Sequence, residues 1–478
     1  MVKIYKFLDR ILPYTCLGIF CFLTLSNMLC SSFIYNGEAE AHAWTIAGNA
    51  SIPQIINLMN TEGHFLIWYL CLIPFAKVPH LYPWAMDLLN WLFCFGALII
   101  LWKHAPFNNF TKSCITLSAP FLQVFGTYHR CYSIGILFLF LAMAIYEERT
   151  QKPFWYIILL TLAANTSILA LFAAGILGIL FLTELISAKT QEKGKVLFFA
   201  GLIAALNIIL FYFQFHNVIV PDYETTEIIK APNELLGYLG LSKAFIKANL
   251  TKMILLWAGT IIFPIVFWQN KKALIFFILS EITALEFFTF IYGARYYHLC
   301  FLFIYIIIAF WMLKSEKSFC EKYYWKTISF TILAFFMIFI QIKHFPAILA
   351  DFIYPITTNS EMLEGTMYSN CEPINLSVIL PFLAKSSQTI YDMKGRDLSS
   401  YESLKIYFNK SEKAVDPDSF AEVLDTSKRN FLIINGKLKY NYVNGKKYKF
   451  NVYLHKIYGS LNSDARIYVY EIKNVLNL

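Results

Sequence analysis

Long apolar runs separated by short polar turns fill the first 345 residues of this chain, and the pattern changes abruptly after them. A helix needs about 20 apolar residues to cross the ~30 Å hydrocarbon core of a bilayer. Eleven runs predict such helices, over residues 11–34, 84–102, 113–126, 131–146, 154–164, 167–186, 196–216, 253–268, 273–291, 297–313 and 327–342. The run 65–78 differs. It would make only about 21 Å of helix, Pro74 interrupts it and Lys77 ends it. It predicts an interfacial or re-entrant helix that returns to the side it came from.

Two stretches between these runs carry an amphipathic pattern instead. In 51–60, Ile52, Ile55, Ile56 and Met59 recur at i, i+3, i+4 and i+7, Ser51 stands where a helix N-cap belongs and Pro53 falls in the first turn. The stretch 233–250 reads similarly, and both suit helices lying on the membrane surface. Beyond about Phe345 the long runs stop, and short β-rich pieces appear at 388–391, 430–434, 448–455 and 465–472, some separated by helical patterns. The expected architecture is an all-α polytopic membrane protein of about eleven transmembrane helices over 1–345, with a first loop at 35–83, and a small α/β domain over 346–478 large enough to bury its own core.

Composition agrees with the pattern. The chain is 58% hydrophobic and 15% charged, with a mean hydropathy of +0.53, against about half and a quarter in soluble domains. The net charge of +9 therefore reads as a distribution across a bilayer and gives no reason to invoke nucleic acid. With the N-terminus inside and 65–78 not spanning, the inside loops carry Lys3, Lys6, Arg10, Lys103, Lys112, Arg149, Lys152, Lys189, Lys193, Lys195, Lys271, Lys272, Lys314, Lys317, Lys322 and Lys326. The outside loops before the last span carry fewer, among them Lys77, Arg130, Lys230 and Arg295. Positive charge gathers on the cytoplasmic side of membrane proteins, so the bias favours eleven spans with the N-terminus in the cytoplasm and the C-terminal domain outside. The ten cysteines show no CxxC and no Cys/His metal spacing, and Cys371 alone lies in the C-terminal region.

The same topology collects unusual polar residues on the outside. The stretch 36–65 holds Glu38, Glu40, His42, Glu62 and His64 and no Lys or Arg. Tyr128, His129, Arg130 and Tyr132 share a tight turn, Asn165 lies in a second, and Arg295 and His298 lie in a third. A carboxylate can take a proton from an attacking hydroxyl, an arginine fork suits phosphate, and a histidine can assist, pair with phosphate or bind a metal. Glu62 and His64 suit a divalent cation such as Mg or Mn, but two residues do not make a site. Spacing leaves the two early glutamates open: Glu38 and His42 share a helix face, while all three of Glu38, Glu40 and His42 would align on an extended chain. Asp87, Glu184, Glu281 and Glu286 lie within or near the ends of spans, and intramembrane ionisable groups are functional candidates.

Taken in order, these residues resemble the GT-C superfamily of polytopic glycosyltransferases, near the family 39 and protein-mannosyltransferase-like members of bacteria. The resemblance covers roughly residues 10–350. It rests on the acidic motif after the first span (Gly37 to Glu40), Ala43-Trp44 and Ile46-Ala47, Glu62-Gly63-His64 followed by Trp68 and Tyr69, Arg130-Cys131-Tyr132-Ser133, the turn at Asn165, and Arg295 with His298. Phe65 stands where such sequences often have Pro, and Cys131 where they often have Asn. The resemblance implies a bacterial inner-membrane enzyme that takes a sugar from a polyprenyl-phosphate donor and transfers it, with inversion, to an extracytoplasmic acceptor. Glu40 or Glu38 would be the base. Arg130 and Arg295, with His64 or His298, would hold the lipid phosphate, and His42, Glu62, Tyr128, Tyr132 and Asn165 would complete the substrate site. Rival readings are a polysaccharide polymerase, which also uses outside arginines, and a transporter or flippase of lipid-linked glycan built on Glu281 and Glu286.

Overall fold

The computed structural model describes residues 2–31, 38–62, 65–187, 193–215, 264–290, 296–315 and 324–342, and in the C-terminal region 366–369, 390–392, 420, 424, 429–435, 442–444, 447–458 and 467–477. They are mostly helical, with a small C-terminal strand region. The chain divides into two compact units. One comprises Met1–Ser26, Met59–Trp68 and Asn90–Ala347, the other Asn27–Leu58, Tyr69–Leu89 and Ile348–Leu478.

The helices are α1 (Val2–Ser31), α2 (Glu38–Asn49), α3 (Ile52–Glu62), α4 (Leu66–Ala76), α5 (Trp84–His104), α6 (Asn109–Thr116), α7 (Tyr132–Ala144), α8 (Pro153–Ala164), α9 (Ile168–Ser187), α10 (Lys193–Phe215), α11 (Lys271–Phe290), α12 (Tyr296–Ser315) and α13 (Tyr324–Ile342). Five carry stretches long and apolar enough to cross a bilayer: Arg10–Met28 in α1, Trp84–His104, Ile168–Ser187, Lys193–Gln214 and Tyr297–Ser315. The chain is a membrane-embedded helical protein. Helices α7 and α8, of 13 and 12 residues, reach only about 20 Å. The expected span 253–268 lies largely outside the described residues, as does the amphipathic stretch 233–250.

One expected span is broken. Residues 113–126 form the end of α6 and a separate π-helical turn, Pro120–Phe125. Pro120 has no N–H to continue a helix from α6, and the Ser118 hydroxyl instead closes the end of α6 by donating to the Ile115 carbonyl at 2.7 Å. The Gly126 N–H then reaches back five residues to the Phe121 carbonyl at 2.9 Å, the bond that defines such turns, which recur near functional sites.

In the first unit the most interior helix is α12. From Phe301 to Leu313 every side chain is buried except Ile306, which is half-buried, as befits a helix that is apolar all round. Around it, Phe107 lies edge-on to Trp311, Phe310 stacks on Phe330 of α13 at 4.2 Å, and the Tyr305 hydroxyl donates to the Leu169 carbonyl at 2.7 Å. By contrast α10 turns one face inward, made by Ile203, Asn207, Leu210, Phe211 and Gln214, and exposes Phe198, Leu202, Leu206, Ile208, Ile209, Tyr212 and Phe213. Such a helix suits an apolar solvent.

In the second unit, α3 opens with the back-reaching half of a capping box: the Ser51 N–H and hydroxyl both donate to the Gln54 side-chain oxygen Oε1 at 2.8 Å, and Ile55 and Leu58 are buried. Helix α2 runs close against the end of α4: a Cβ on Gly48 would lie 3.0 Å from the Ala76 carbonyl oxygen, and Lys77 donates to the Gly48 carbonyl at 2.8 Å. Helix α4, at 11 residues, is about 17 Å long, too short to cross the hydrocarbon core.

The C-terminal strands, β1 (Thr366–Ser369), β2 (Ile390–Asp392), β3 (Asn430–Asn435), β4 (Tyr442–Asn444), β5 (Tyr448–Tyr458) and β6 (Ile467–Asn477), form one mixed sheet in the order β2-β1-β3-β6-β5-β4. β1 runs parallel to β2 and β3, and the remaining pairs are antiparallel. Leu432, Phe450, Val452, Tyr470 and Ile472 pack with Phe420 as its core, the alternate-residue face expected of strands.

Candidate functional site

The π-helical turn places the residues that follow it. Its last carbonyl, that of Phe125, accepts from the Ser133 hydroxyl at 2.7 Å and the Asn90 amide at 3.0 Å. These buried bonds tie the turn to the first turn of α7 and to α5, and the Arg130 N–H bonds to the Tyr128 carbonyl at 2.8 Å. Arg130 is thereby fixed at the start of α7, 9% exposed. Its guanidinium donates to the Tyr297 hydroxyl at 3.2 Å and lies 5.6 Å from the Tyr128 ring centre and 5.4 Å from that of Tyr297, within cation–π range. Those two rings stack at 4.8 Å. Tyr132 packs against Tyr297 and edge-on to His298, and Phe288 at the end of α11 stacks on His298.

Four residues singled out in the sequence, Tyr128, Arg130, Tyr132 and His298, thus form one cluster with Tyr297 at its centre. Beside them, His129 is buried, and burial pushes its imidazole down to about 3, so it stays neutral at physiological pH. Tyr297 lies between Arg295 and His298 in Arg295-Tyr296-Tyr297-His298 and carries no signal of its own in the sequence. Arg295 itself lies outside the described residues.

Asn165 stands next to this cluster in the chain's layout. It follows α8 and donates to the Thr161 carbonyl at 2.9 Å and to Asn207 Oδ1 at 2.5 Å. Its own carbonyl accepts from the Ile67 N–H at 3.4 Å. The adjoining Thr166 meets α7 so closely that a Cβ on Gly135 would lie 2.5 Å from its Oγ1. The first turns of α7 and α9 therefore touch between Arg130 and Asn165.

The opposite ends of these helices carry a different set. Arg149 Nε and Nη2 donate to the two Glu184 carboxylate oxygens at 2.7 and 2.6 Å, and Lys272 bonds the same carboxylate. From Ser167 to Glu184 α9 rises about 25 Å, and from Lys272 to Phe288 α11 rises about 24 Å. The aromatic cluster and the ion-pair cluster are separated by close to the thickness of a bilayer's hydrocarbon core.

In the second unit, Glu40 and His42 are both buried on α2, where Trp44 meets Tyr82 at 5.4 Å between ring centres. Because residues 38–49 are helical, Glu38 and His42 share a face and Glu40 points elsewhere; the extended alternative does not occur. Asp87, fully buried, occupies the first turn of α5, where the helix dipole favours a negative charge. Glu62 ends α3. The side chains of Glu38 and Glu62, and His64 altogether, lie outside the described residues. Among the described residues no group of three His, Cys, Asp or Glu side chains comes together to hold a metal ion.

No protein-family model matches the chain, and neither a curated protein nor a solved structure matches it. Function must therefore be argued from the residues themselves.

Proposed function

We propose that this protein is an integral-membrane glycosyltransferase that transfers a sugar, with inversion, from a polyprenyl-phosphate donor to an acceptor on the extracytoplasmic side of a bacterial inner membrane. The observation that carries this reading is Arg130: a buried guanidinium among tyrosine rings and neutral imidazole, at one end of an apolar helix bundle. A planar guanidinium fork matches phosphate in two parallel bonds, and a helix end a hydrocarbon thickness from the opposite charged cluster is where a lipid phosphate lies. His298 and Tyr297 flank that position, and Arg295 is assigned to the same task. The resemblance in order of motifs supplies the rest. Glu40 takes the proton of the acceptor hydroxyl, the oxygen attacks the sugar C1, and the C1–O bond to phosphate breaks with its electron pair leaving on the lipid phosphate. The N-terminus lies in the cytoplasm and the C-terminal sheet outside.

The test measures donor binding and transfer by the purified protein in lipid. Arg130→Lys should weaken donor affinity although charge is kept, because the fork is lost, and Arg130→Ala should weaken it further. Glu40→Gln should leave donor binding intact and lower turnover by about 10²-fold or more. Wild-type donor affinity in Arg130→Ala overturns the assignment.

One observation favours a second reading. Glu281 is 2% exposed in mid-α11, about 14 Å along the axis from Lys272 and about 10 Å from Phe288, and neither carboxyl oxygen has a hydrogen-bond partner among the described residues. A carboxyl at that depth suits a proton-coupled transporter of lipid-linked glycan. Glu281→Gln separates the two: a transporter loses its activity, whereas the transferase keeps its turnover.

A further inference from the structure

The inward face of α10 carries two amides in a helix otherwise almost wholly apolar. Asn207, Phe211 and Gln214 recur at i, i+4 and i+7 and therefore share that face. Opposite them lie Asn165, bonded to Asn207, and the segment entering α4, whose Phe65 ring meets Phe211 edge-on at 5.3 Å and whose Ile67 N–H meets the Asn165 carbonyl. Trp68 follows directly. Gln214 is 0% exposed, Trp68 2% and Asn165 6%. Among the described residues, Gln214 Nε2 and Oε1, Trp68 Nε1 and Asn165 Oδ1 have no hydrogen-bond partner.

Four such atoms on the inward face of α10 and the segments packed against it call for a ligand, because leaving a buried polar atom unsatisfied is costly and the large majority of buried side-chain polar atoms are paired. They comprise two donors and two acceptors on neutral side chains. None of the six residues Phe65, Trp68, Asn165, Asn207, Phe211 and Gln214 is charged. A phosphate or a carboxylate would find no counter-charge on them. A polyol fits them, since each hydroxyl both donates and accepts and the C–H face of a sugar ring packs on aromatic rings. The contact of Gly135 with Thr166 puts the Asn165 end of this face next to the first turn of α7, which follows Arg130.

We propose that Asn165, Gln214 and Trp68 form a carbohydrate subsite that recognises the hydroxyls of the donor's sugar, beside the guanidinium that takes its phosphate. This rests on the glycosyltransferase reading and extends it: anion recognition and sugar recognition are performed by different residues.

The experiment uses the full-length protein in lipid nanodiscs and measures affinity for polyprenyl phosphate bearing no sugar and for its glucosyl, mannosyl and galactosyl esters. At least one ester should bind wild type about 10-fold or more tightly than the bare phosphate. Gln214→Leu should remove that preference and leave binding of the bare phosphate within twofold. Trp68→Phe keeps the ring and removes the N–H, and should cause a smaller loss in the same direction, which keeps the inference testable if Gln214→Leu does not fold. Equal losses for bare phosphate and ester would assign these residues to the fold and overturn the subsite. An unchanged preference in both variants would assign the buried amides to ordered water and also overturn it. If wild type binds the bare phosphate and every ester equally, the subsite fails while the phosphate site stands. If it binds none of the four, the glycosyltransferase reading fails with it.

Discussion

Replacing Glu184 by Gln keeps the side chain's volume and removes the single negative charge that two cations share. Arg149 reaches it through two nitrogens at 2.7 and 2.6 Å, and Lys272 through a third bond. Arg149 also donates to the Tyr146 carbonyl and lies 3.9 Å from the centre of that ring, so it cannot easily swing away. Its side chain is 14% exposed and that of Glu184 is 18%, but that of Lys272 is 39%. Breaking a fully buried pair by removing one partner costs 3–5 kcal/mol, and an exposed pair contributes about 0–1 kcal/mol. At this intermediate exposure the expected loss is about 2 kcal/mol, since Arg149 and Lys272 would then repel each other across a gap with no anion. The assay is a titration of the folded protein in mixed dodecylmaltoside and dodecylsulfate micelles, followed by tryptophan emission. Glu184→Leu combined with Arg149→Met should recover most of the loss, because an apolar pair of similar volume leaves only Lys272 without its carboxylate, and at 39% exposure that ammonium can turn to water. A loss below about 0.5 kcal/mol in Glu184→Gln, or simple additivity in the double variant, would refute the view that this cluster locks α9 to the start of α11 and to the α7–α8 turn.

Two further outcomes follow from contacts elsewhere. Gly135→Ala should destabilise the bundle by about 1–3 kcal/mol, the usual range for overpacking, because its Cβ would meet Thr166 Oγ1 at 2.5 Å and Ala170 Cβ at 3.1 Å; a melting temperature equal to wild type in detergent would show that the α7–α9 contact can open freely. In the C-terminal sheet, Arg429 at 2.6 Å and Lys473 at 2.7 Å hold the Glu471 carboxyl down to about 2. A depressed carboxylate adds stability that is present above the ordinary value near 4.5 and fades as pH falls towards 2. The two cations are each about half exposed, so screening limits the contribution to about 1 kcal/mol. Glu471→Gln should therefore melt lower than wild type at pH 6 and level with it at pH 2, and a gap that does not change with pH would reject the pairing.

The sequence pattern carries the parts of this fold that depend on period and punctuation. Apolar runs locate α5, α9, α10 and α12 within a few residues, and Ser51 with Gln54 and Pro53 announces α3. Strands β3, β5 and β6 fall within a few residues of the β-rich pieces at 430–434, 448–455 and 465–472, and β2 overlaps the end of the piece at 388–391. The short strands β1 and β4, Thr-Met-Tyr-Ser and Tyr-Val-Asn, have too few residues to show alternation and are defined by their neighbours in the sheet. The break at Pro120 is visible as a residue but not as an outcome, since a proline can kink a membrane helix and leave it continuous. Of the aromatic cluster, the charged and imidazole members stand out by type. Tyr297 does not, because in a chain with 30 tyrosines only the pairing of α7 with α12 marks this one. Asn207 and Gln214 have a legible signal, two amides seven apart in an otherwise apolar span, and it points to a site only once Asn207 meets Asn165.

The two polar ends of the first unit treat charge in opposite ways. At one, Arg149 and Lys272 meet a carboxylate that cancels part of their charge. At the other, Arg130 is solvated by the Tyr297 hydroxyl and by the Tyr128 and Tyr297 ring faces. A hydroxyl and aromatic ring faces are neutral groups that stabilise a cation. Taking a charge out of water is costly, and each ring contact returns about 0.5–2 kcal/mol, which explains why the Tyr128 and Tyr297 rings both lie against one arginine. The neutrality of His129 belongs to the same arrangement. Charging an imidazole at this depth would carry the cost of taking it out of water, and burial keeps that of His129 neutral down to about pH 3. Among the described residues, the aromatic end thus sets the Arg130 guanidinium against tyrosine rings and a neutral imidazole, with the Asn165 amide beside the neighbouring α7–α9 contact. That is the division of labour a lipid-phosphate sugar requires, its anionic half recognised by charge and its neutral half by hydrogen bonds.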